Sequence, residues 1–422
     1  MNRVVSWLAI LYVALLPIGR SGLPLNAQWG DLLFPVLLIA AWRGGQTEWW
    51  WSRSDWPLAF YLGVTLAASA RSPDPLTGLA QLAKQAYVAA IFVVFRHLAG
   101  DSSLSNRLQR AFVAALASLV AASMVVVFLG IPARIPGSLL GAADVLPFIG
   151  PVRRLRGAFL TPEMLGEALL VAFLLALSLR SAAHGRGRIL WTIMAALLGG
   201  AEILTFSHSL AGFAVAAVLF AVVDVSSRVR RRLAWIAAFS VLALVNAASV
   251  VDWGTEPNDH GVAPVSVDLA GIRVEGRWSH YFALKQVAWR TFVRHPFSGV
   301  GPGRFPVETE RAFRQGRLPA RYRDKPPQCD PAGRLAETGF LGGLSLFLLW
   351  GSWLRGISSR FRAAPAAQRA AGAAVVGLLV NSLNADVMNF RFLWLALAWA
   401  LPNDDAPSVG GAPPQAEATR AD

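Results

Sequence analysis

Residues 111–130, AFVAALASLVAASMVVVFLG, run for twenty positions without a charged side chain. A helix rises 1.5 Å per residue, so about twenty mostly apolar residues cover the ~30 Å hydrocarbon core of a bilayer. Helical pairing satisfies every backbone polar group, which lipid cannot do, so an apolar run of this length reads as a spanning helix. Extended to 108–130, this stretch is one of twelve. The others lie at 4–19, 29–42, 56–70, 78–95, 164–179, 189–206, 209–225, 233–251, 338–354, 370–387 and 391–402. Those at 29–42, 56–70 and 391–402 are short for a full crossing, so the expected count is ten to twelve. The first follows Met1-Asn2-Arg3 like a signal peptide, but Pro17-Ile18-Gly19-Arg20 stands where a small-residue cleavage site belongs, which reads as a retained anchor.

Composition agrees with the spans. Of 422 residues, 55% are hydrophobic and 15% charged, and mean hydropathy is +0.47. Soluble domains carry about 25% charge, so an ordinary soluble enzyme is excluded. The net charge is +14, with Lys84, Lys285 and Lys325 the only lysines. In a membrane protein such an excess first sets topology, and no nucleic-acid partner is implied. Cys329 is the single cysteine, which rules out an internal disulfide and a cysteine-based metal site.

Basic residues collect in alternate connections. These hold Arg43 and Arg53, then Arg96, Arg107 and Arg110, then Arg180, Arg186 and Arg188. The series continues with Arg228 and Arg230 to Arg232, then Arg355, Arg360, Arg362 and Arg369. Twelve spans place all of them, with Arg3, on one side, which the positive-inside rule makes the cytoplasm, with both termini inside. The expected organisation is all-α and polytopic: transmembrane helices over 1–130, a periplasmic loop over 131–163 and central helices over 164–251. A large periplasmic loop domain covers 252–337, C-terminal helices 338–402, and a disordered cytoplasmic tail 403–422. Within the large loop, Trp278, Phe282, Lys285, Trp289, Phe292 and Val293 predict an amphipathic helix over 278–295 at the membrane surface.

The candidate chemistry lies on the face opposite the arginine-rich connections. Arg153, Arg154 and Arg156 precede the sixth span, and the large loop is rich in arginine, including Arg273, Arg277, Arg294, Arg304, Arg311 and Arg334. Guanidinium forks bind phosphate oxygens in pairs, so an anion cradle for a phosphate-bearing lipid is one reading; a solvated loop is the other. At 160–167, Thr161 suits an N-cap, Pro162 the first helical position, and Glu163 and Glu167 the positive helix end. His208 falls in a short turn, Thr205-Phe206-Ser207-His208-Ser209, between two spans. Lys84, Glu202, Asn381, Asn384 and Asp386 are polar residues in or beside apolar stretches, each a weak functional pointer.

Two strings in the large loop are distinctive. From His295-Pro296 the chain runs to Gly299-Val300-Gly301-Pro302-Gly303, and alternating glycines suit a tight turn that brings backbone amides close to another group. No Gly-Lys-Ser/Thr follows, so this is no nucleotide loop. Downstream, 327–339 reads PQCDPAGRLAETG, in which Asp330 and Glu337 are either helix-start residues or acids facing the basic loop.

In order, these strings resemble the O-antigen ligase and polymerase family of bacterial envelope glycosyltransferases. The resemblance spans about Arg153 to Gly343. It rests on Arg156-Gly157-Ala158-Phe159, on Thr205-Phe206-Ser207, on Arg277 with His295-Pro296 and the glycine string, and on Leu335-Ala336-Glu337-Thr338-Gly339. It implies metal-independent transfer of glycan, with no cofactor, from an undecaprenyl-diphosphate carrier to an acceptor hydroxyl at the periplasmic face of the inner membrane. The acceptor is lipid A-core or a growing polysaccharide. Arg156 and Arg277 would stabilise the diphosphate leaving group, with Arg153, Arg154, His295 and the glycines in the binding region. Two positions depart from the family pattern. Gln328 stands where the family places a histidine base, and His208 where it places an arginine. Asp330, Glu337 or His208 is then the candidate base. The rival is a lipid-linked glycan flippase, which expects internal repeats and polar sites near the bilayer midplane.

Overall fold

The computed structural model describes residues 3–18, 28–43, 55–129, 140–146, 150–223, 227–248, 250–254, 265–269 and 272–403. Each of the twelve apolar stretches becomes or overlaps a helix. In the first half these are α1 (Arg3–Leu15), α2 (Trp29–Arg43), α3 (Trp56–Arg71), α4 (Pro75–Ala99), α5 (Ser102–Phe128) and α6 (Pro162–Ala182). There follow α7 (Gly185–Thr205), α8 (Ser209–Val222), α9 (Arg228–Ala248), α10 (His280–Arg294) and α11 (Phe305–Arg314). The last three are α12 (Asp330–Arg360), α13 (Ala366–Asn381) and α14 (Arg391–Ala400). Five of them, α4, α5, α6, α7 and α12, are long and apolar enough to cross a membrane; α1, α8 and α14 are shorter apolar helices. The predicted tail from 404 onward lies outside the described residues.

Strands are what the sequence reading missed. Strand β1 (Leu140–Leu146) pairs antiparallel with β2 (Gly150–Leu155) inside the segment expected to be loop. In the large loop, β5 (Ile272–Trp278) lies between β3 (Val251–Gly254) and β4 (Val265–Leu269), antiparallel to both. The strands are four to seven residues long, too short for a periodicity to stand out against irregular sequence. They dress one end of a helical molecule.

Helix packing follows residue size. Gly212 of α8 and Gly377 of α13 face each other so closely that a Cβ on Gly212 would lie 2.1 Å from the Gly377 carbonyl oxygen, an approach only small residues allow. Where the backbones stand further apart, Trp394, Trp399, Tyr12, Tyr61, Phe95 and Phe112 fill the core. The outer helix faces remain apolar as well: Ile189, Ile193 and Ile203 on α7 are 61%, 60% and 59% exposed.

The bundle has two distinct ends. At one, Arg96 at the end of α4 makes a two-pronged ion pair with Asp55 before α3, 2.7 Å in each arm. Arg355, Arg360 and Asn403 line a cavity with that pair, and Asn403 also borders the α4–α5, α6–α7 and α12–α13 connections. Four of the five arginine-bearing connections that the sequence puts on one side therefore meet. The opposite end carries the α3–α4 hairpin, the α7–α8 turn, α10, α11 and the first turns of α12. Gly339, with φ of +68°, kinks α12 there, and Phe340 donates its amide to the Pro296 carbonyl at 2.7 Å. Beyond the kink, 340–360 is a helix of about 31 Å at 1.5 Å per residue, one hydrocarbon thickness.

Candidate functional site

The glycine string forms a loop folded over the start of α12. Val300 donates its amide to Ala336 O at 3.0 Å and Gly301 to Glu337 O at 2.9 Å. Gly299, Gly301 and Gly303 all have positive φ, and a Cβ on Gly299 would lie 2.3 Å from the Glu337 backbone. Glycine is thus required both for conformation and for space. The expected approach of backbone amides to another group is present, and the group is the protein's own carboxylate: Gly303 donates to Glu337 Oε1 at 3.0 Å. Phe305, the first residue of α11, also bonds this carboxylate, so Glu337 caps that helix.

Beneath the loop lies a cavity of about 260 Å³ lined by Lys84, Asp330, Arg334, Glu337, Asp386 and Asn389 among others. Arg334 is buried, stacked over the Tyr61 ring at 5.5 Å, and bonded through both terminal nitrogens to the Gln85 amide oxygen at 2.6 and 3.0 Å. Asp330 Oδ2 accepts the amides of Val387 at 2.9 Å and Met388 at 3.3 Å, tying α12 to the α13–α14 connection. The Asp330 and Asp386 carboxyls hydrogen-bond to each other, while Asp330 Oδ1 and Asp386 Oδ1 have no other donor. Three carboxyls, Asp330, Asp386 and Glu337, face two cations, Arg334 and Lys84. Every cation there meets an acid of the protein itself, so the cavity is no diphosphate cradle.

A second polar line runs along α10, the helix predicted over 278–295 and observed from His280 after the Ser279 cap. Tyr281 meets His208 edge-to-face with ring centroids 4.4 Å apart. One turn on, Lys285 Nζ donates to Asn384 Oδ1 at 2.7 Å, and Asn384 Nδ2 donates to Asn246 Oδ1 at 3.1 Å. Burial holds the Lys285 amine below the usual lysine range and raises the neighbouring Cys329 thiol. Gln328 precedes Cys329 with φ of +52°. His208, through Tyr281, and Cys329, beside Lys285, thus meet the same helix α10.

The basic string before α6 divides by role. Arg154 is held by Glu163 at 2.5 Å and by the Thr205 carbonyl at 2.8 Å, which joins β2 to the α7–α8 turn. Thr161 caps α6 as expected, accepting from Met164 N at 3.3 Å. Arg156 is half-buried, and its carbonyl accepts the Phe159 amide at 3.1 Å in a turn where Gly157 has φ of +56°. Arg153 lies in β2 and Arg277 in β5 opposite Asp252; their side chains lie outside the described residues. His295 ends α10 and borders a separate cavity. Deeper, Glu167 accepts from Asn381 Nδ2 at 2.7 Å and Glu202 from Ser209 Oγ at 2.6 Å, so these polar residues bind α6, α7, α8 and α13 together.

Arg334 and Asp386 are what sequence reasoning left without a role. Both appear in the chain as ordinary members of a basic loop and of a span end, and only folding turns them toward one cavity. Compared with known proteins, the chain matches no family model, and no curated protein matches it.

Proposed function

We propose that the chain is a polytopic inner-membrane glycosyltransferase with both termini cytoplasmic, moving a glycan from an undecaprenyl-diphosphate carrier to an acceptor hydroxyl at the periplasmic face. One observation supports this reading above the others. The strings that resemble the family, at 156–159, 205–207, 295–303 and 335–339, lie at one end of the helical bundle, where Arg154 beside the first bonds Thr205, His208 beside the second packs on Tyr281 of α10, and Gly301 bonds Glu337. That end lies opposite the arginine-rich connections, as a periplasmic site requires.

In the transfer, the acceptor oxygen attacks the anomeric carbon and the carbon–oxygen bond to phosphate breaks. The carrier diphosphate leaves with that electron pair, and the hydroxyl proton passes to a base. Arg156 and Arg277 stabilise the leaving group by charge, the largest contribution that fixed side chains make to such a step. Asp330 is the base on this reading. Its Oδ1 is buried beside the cavity with no donor to hold it, whereas Glu337 is engaged in capping α11. His208, packed on Tyr281, is the alternative.

Reconstitution with a polyprenyl-diphosphate-linked glycan and lipid A-core or a second carrier-linked repeat tests the proposal. Wild-type chain transfers glycan, and Arg156→Ala and Arg277→Ala lose transfer while inserting normally. Undiminished transfer by either variant contradicts the assignment. In a deletion strain, carrier-linked glycan accumulates on the periplasmic side; accumulation on the cytoplasmic side marks a flippase instead.

A further inference from the structure

The glycine loop has a second side. Its other wall, with the α3–α4 hairpin and α11, encloses a cavity of about 290 Å³ lined by Arg71, Ser72, His295, Arg304, Glu308 and Arg311 among others. Glu308 is buried and its carboxylate is shared by Arg311 at 2.8 Å and Arg294 at 3.2 Å. Asp74, beyond the hairpin tip, is bonded to the Thr77 amide and hydroxyl and lies in the field of Arg304. Four guanidiniums therefore stand against two carboxylates. Among the described residues neither Arg71 nor Arg304 has a carboxylate within salt-bridge distance.

Large apolar side chains lie directly beside this surplus. Trp289, Val293 and Phe297, spaced four apart, are 60%, 59% and 83% exposed. The Phe340–Pro296 hydrogen bond joins them to α12, where Phe340, Leu344 and Phe347 continue the exposed apolar surface. A cationic pocket at the helix ends above an apolar ridge matches an amphiphile with an anionic head. The volume, about ten water molecules' worth, suits a phosphodiester with a small headgroup and is too small for an oligosaccharide.

We propose that this pocket binds the phosphate of an anionic glycerophospholipid of the outer leaflet, held by Arg71, Arg304 and Arg311, with its acyl chains along Phe297, Phe340 and Phe347. The pocket shares His295 and the glycine loop with the donor-binding region expected from the resemblance, but its arginines are not Arg156 or Arg277, and lipid retention is read without glycan transfer.

The test uses the full chain in nanodiscs of mixed phosphatidylglycerol and phosphatidylcholine, with native mass spectrometry counting retained lipid and no glycan donor present. Wild type retains phosphatidylglycerol preferentially. Each arginine removed costs about fivefold in that preference, so Arg71→Gln/Arg304→Gln loses roughly 25-fold, while Arg290→Gln, outside the pocket, retains it. A thermal melt equal to wild type shows that the double variant is folded; if it is not, the single variants are read instead. Equal retention of the two lipids by wild type overturns the proposal, as does an unchanged preference in the folded Arg71 and Arg304 variants. Displacement of the lipid by inorganic phosphate as effectively as by soluble phosphatidylglycerol overturns the lipid assignment in favour of a free-anion site.

Discussion

Two cavities share the 299–303 loop as a wall and differ in what their charges do. On the α12 side, Arg334 and Lys84 meet Glu337 and the Asp330–Asp386 dyad, and the arginine is stacked on Tyr61 and bonded to Gln85. On the α11 side, Arg71 and Arg304 line the pocket with no carboxylate among the described residues within salt-bridge distance. Buried ions persist only when paired, whereas surface ions can remain unpaired at little cost. The first cavity is therefore part of the fold's own electrostatics, with the Asp330 and Asp386 carboxyls available for chemistry. The second is arranged for an anion that the protein does not itself provide.

The largest effect that sharpens this comparison is on the α12 side. Arg334→Met strips the carboxyls of their buried counter-ion and is expected to cost about 3–5 kcal/mol, read as early loss of monodisperse protein on heating. Arg304→Gln, on the surplus side, leaves that melt within about 0.5 kcal/mol. Equal losses from the two would erase the distinction. Next comes Asp330→Asn, whose amide oxygen still accepts from Val387 and Met388. The protein is expected to fold and lose transfer by at least about 100-fold, the contribution of a general base; an unchanged rate removes Asp330 as base in favour of His208.

The shared wall is the third place to press. Gly299→Ala places a methyl against the Glu337 backbone in a left-handed conformation and is expected to destabilise by more than about 2 kcal/mol. Gly316→Ala has the same sign of φ and open space around it, so about 1 kcal/mol is expected. A similar cost at both sites would mean that the loop does not press on α12. The smallest effect concerns Lys285. Its folded-state pKa is depressed by burial, so between that value and the unfolded lysine value near 10.4 the unfolded chain binds more protons. Stability then rises with pH through that window, and the melting temperature of wild type gains on Lys285→Met as pH is raised from 7 toward 10. A flat difference contradicts the burial argument.

Much of this molecule is legible in its sequence. Apolar length marked the twelve helical stretches, the position of arginine marked the shared end, and the turn residues Thr161 and Pro162 marked the start of α6. These are local or additive properties, set by the few residues around each point. The strands β1 to β5 were not legible, because four to seven residues of mixed polarity show no periodicity until a partner strand lies beside them. The same holds for the site. Asp330 and Glu337 stand seven residues apart in one string, yet one becomes half of a carboxyl dyad with Asp386 and the other caps α11. The partners that decide this, at 386 and at 303–305, are brought in by tertiary packing alone. Charge type was written in the chain. Charge pairing is a matter of distance, and it took the folded bundle to place Arg334 among acids and to leave Arg71 and Arg304 with no ion pair among the described residues.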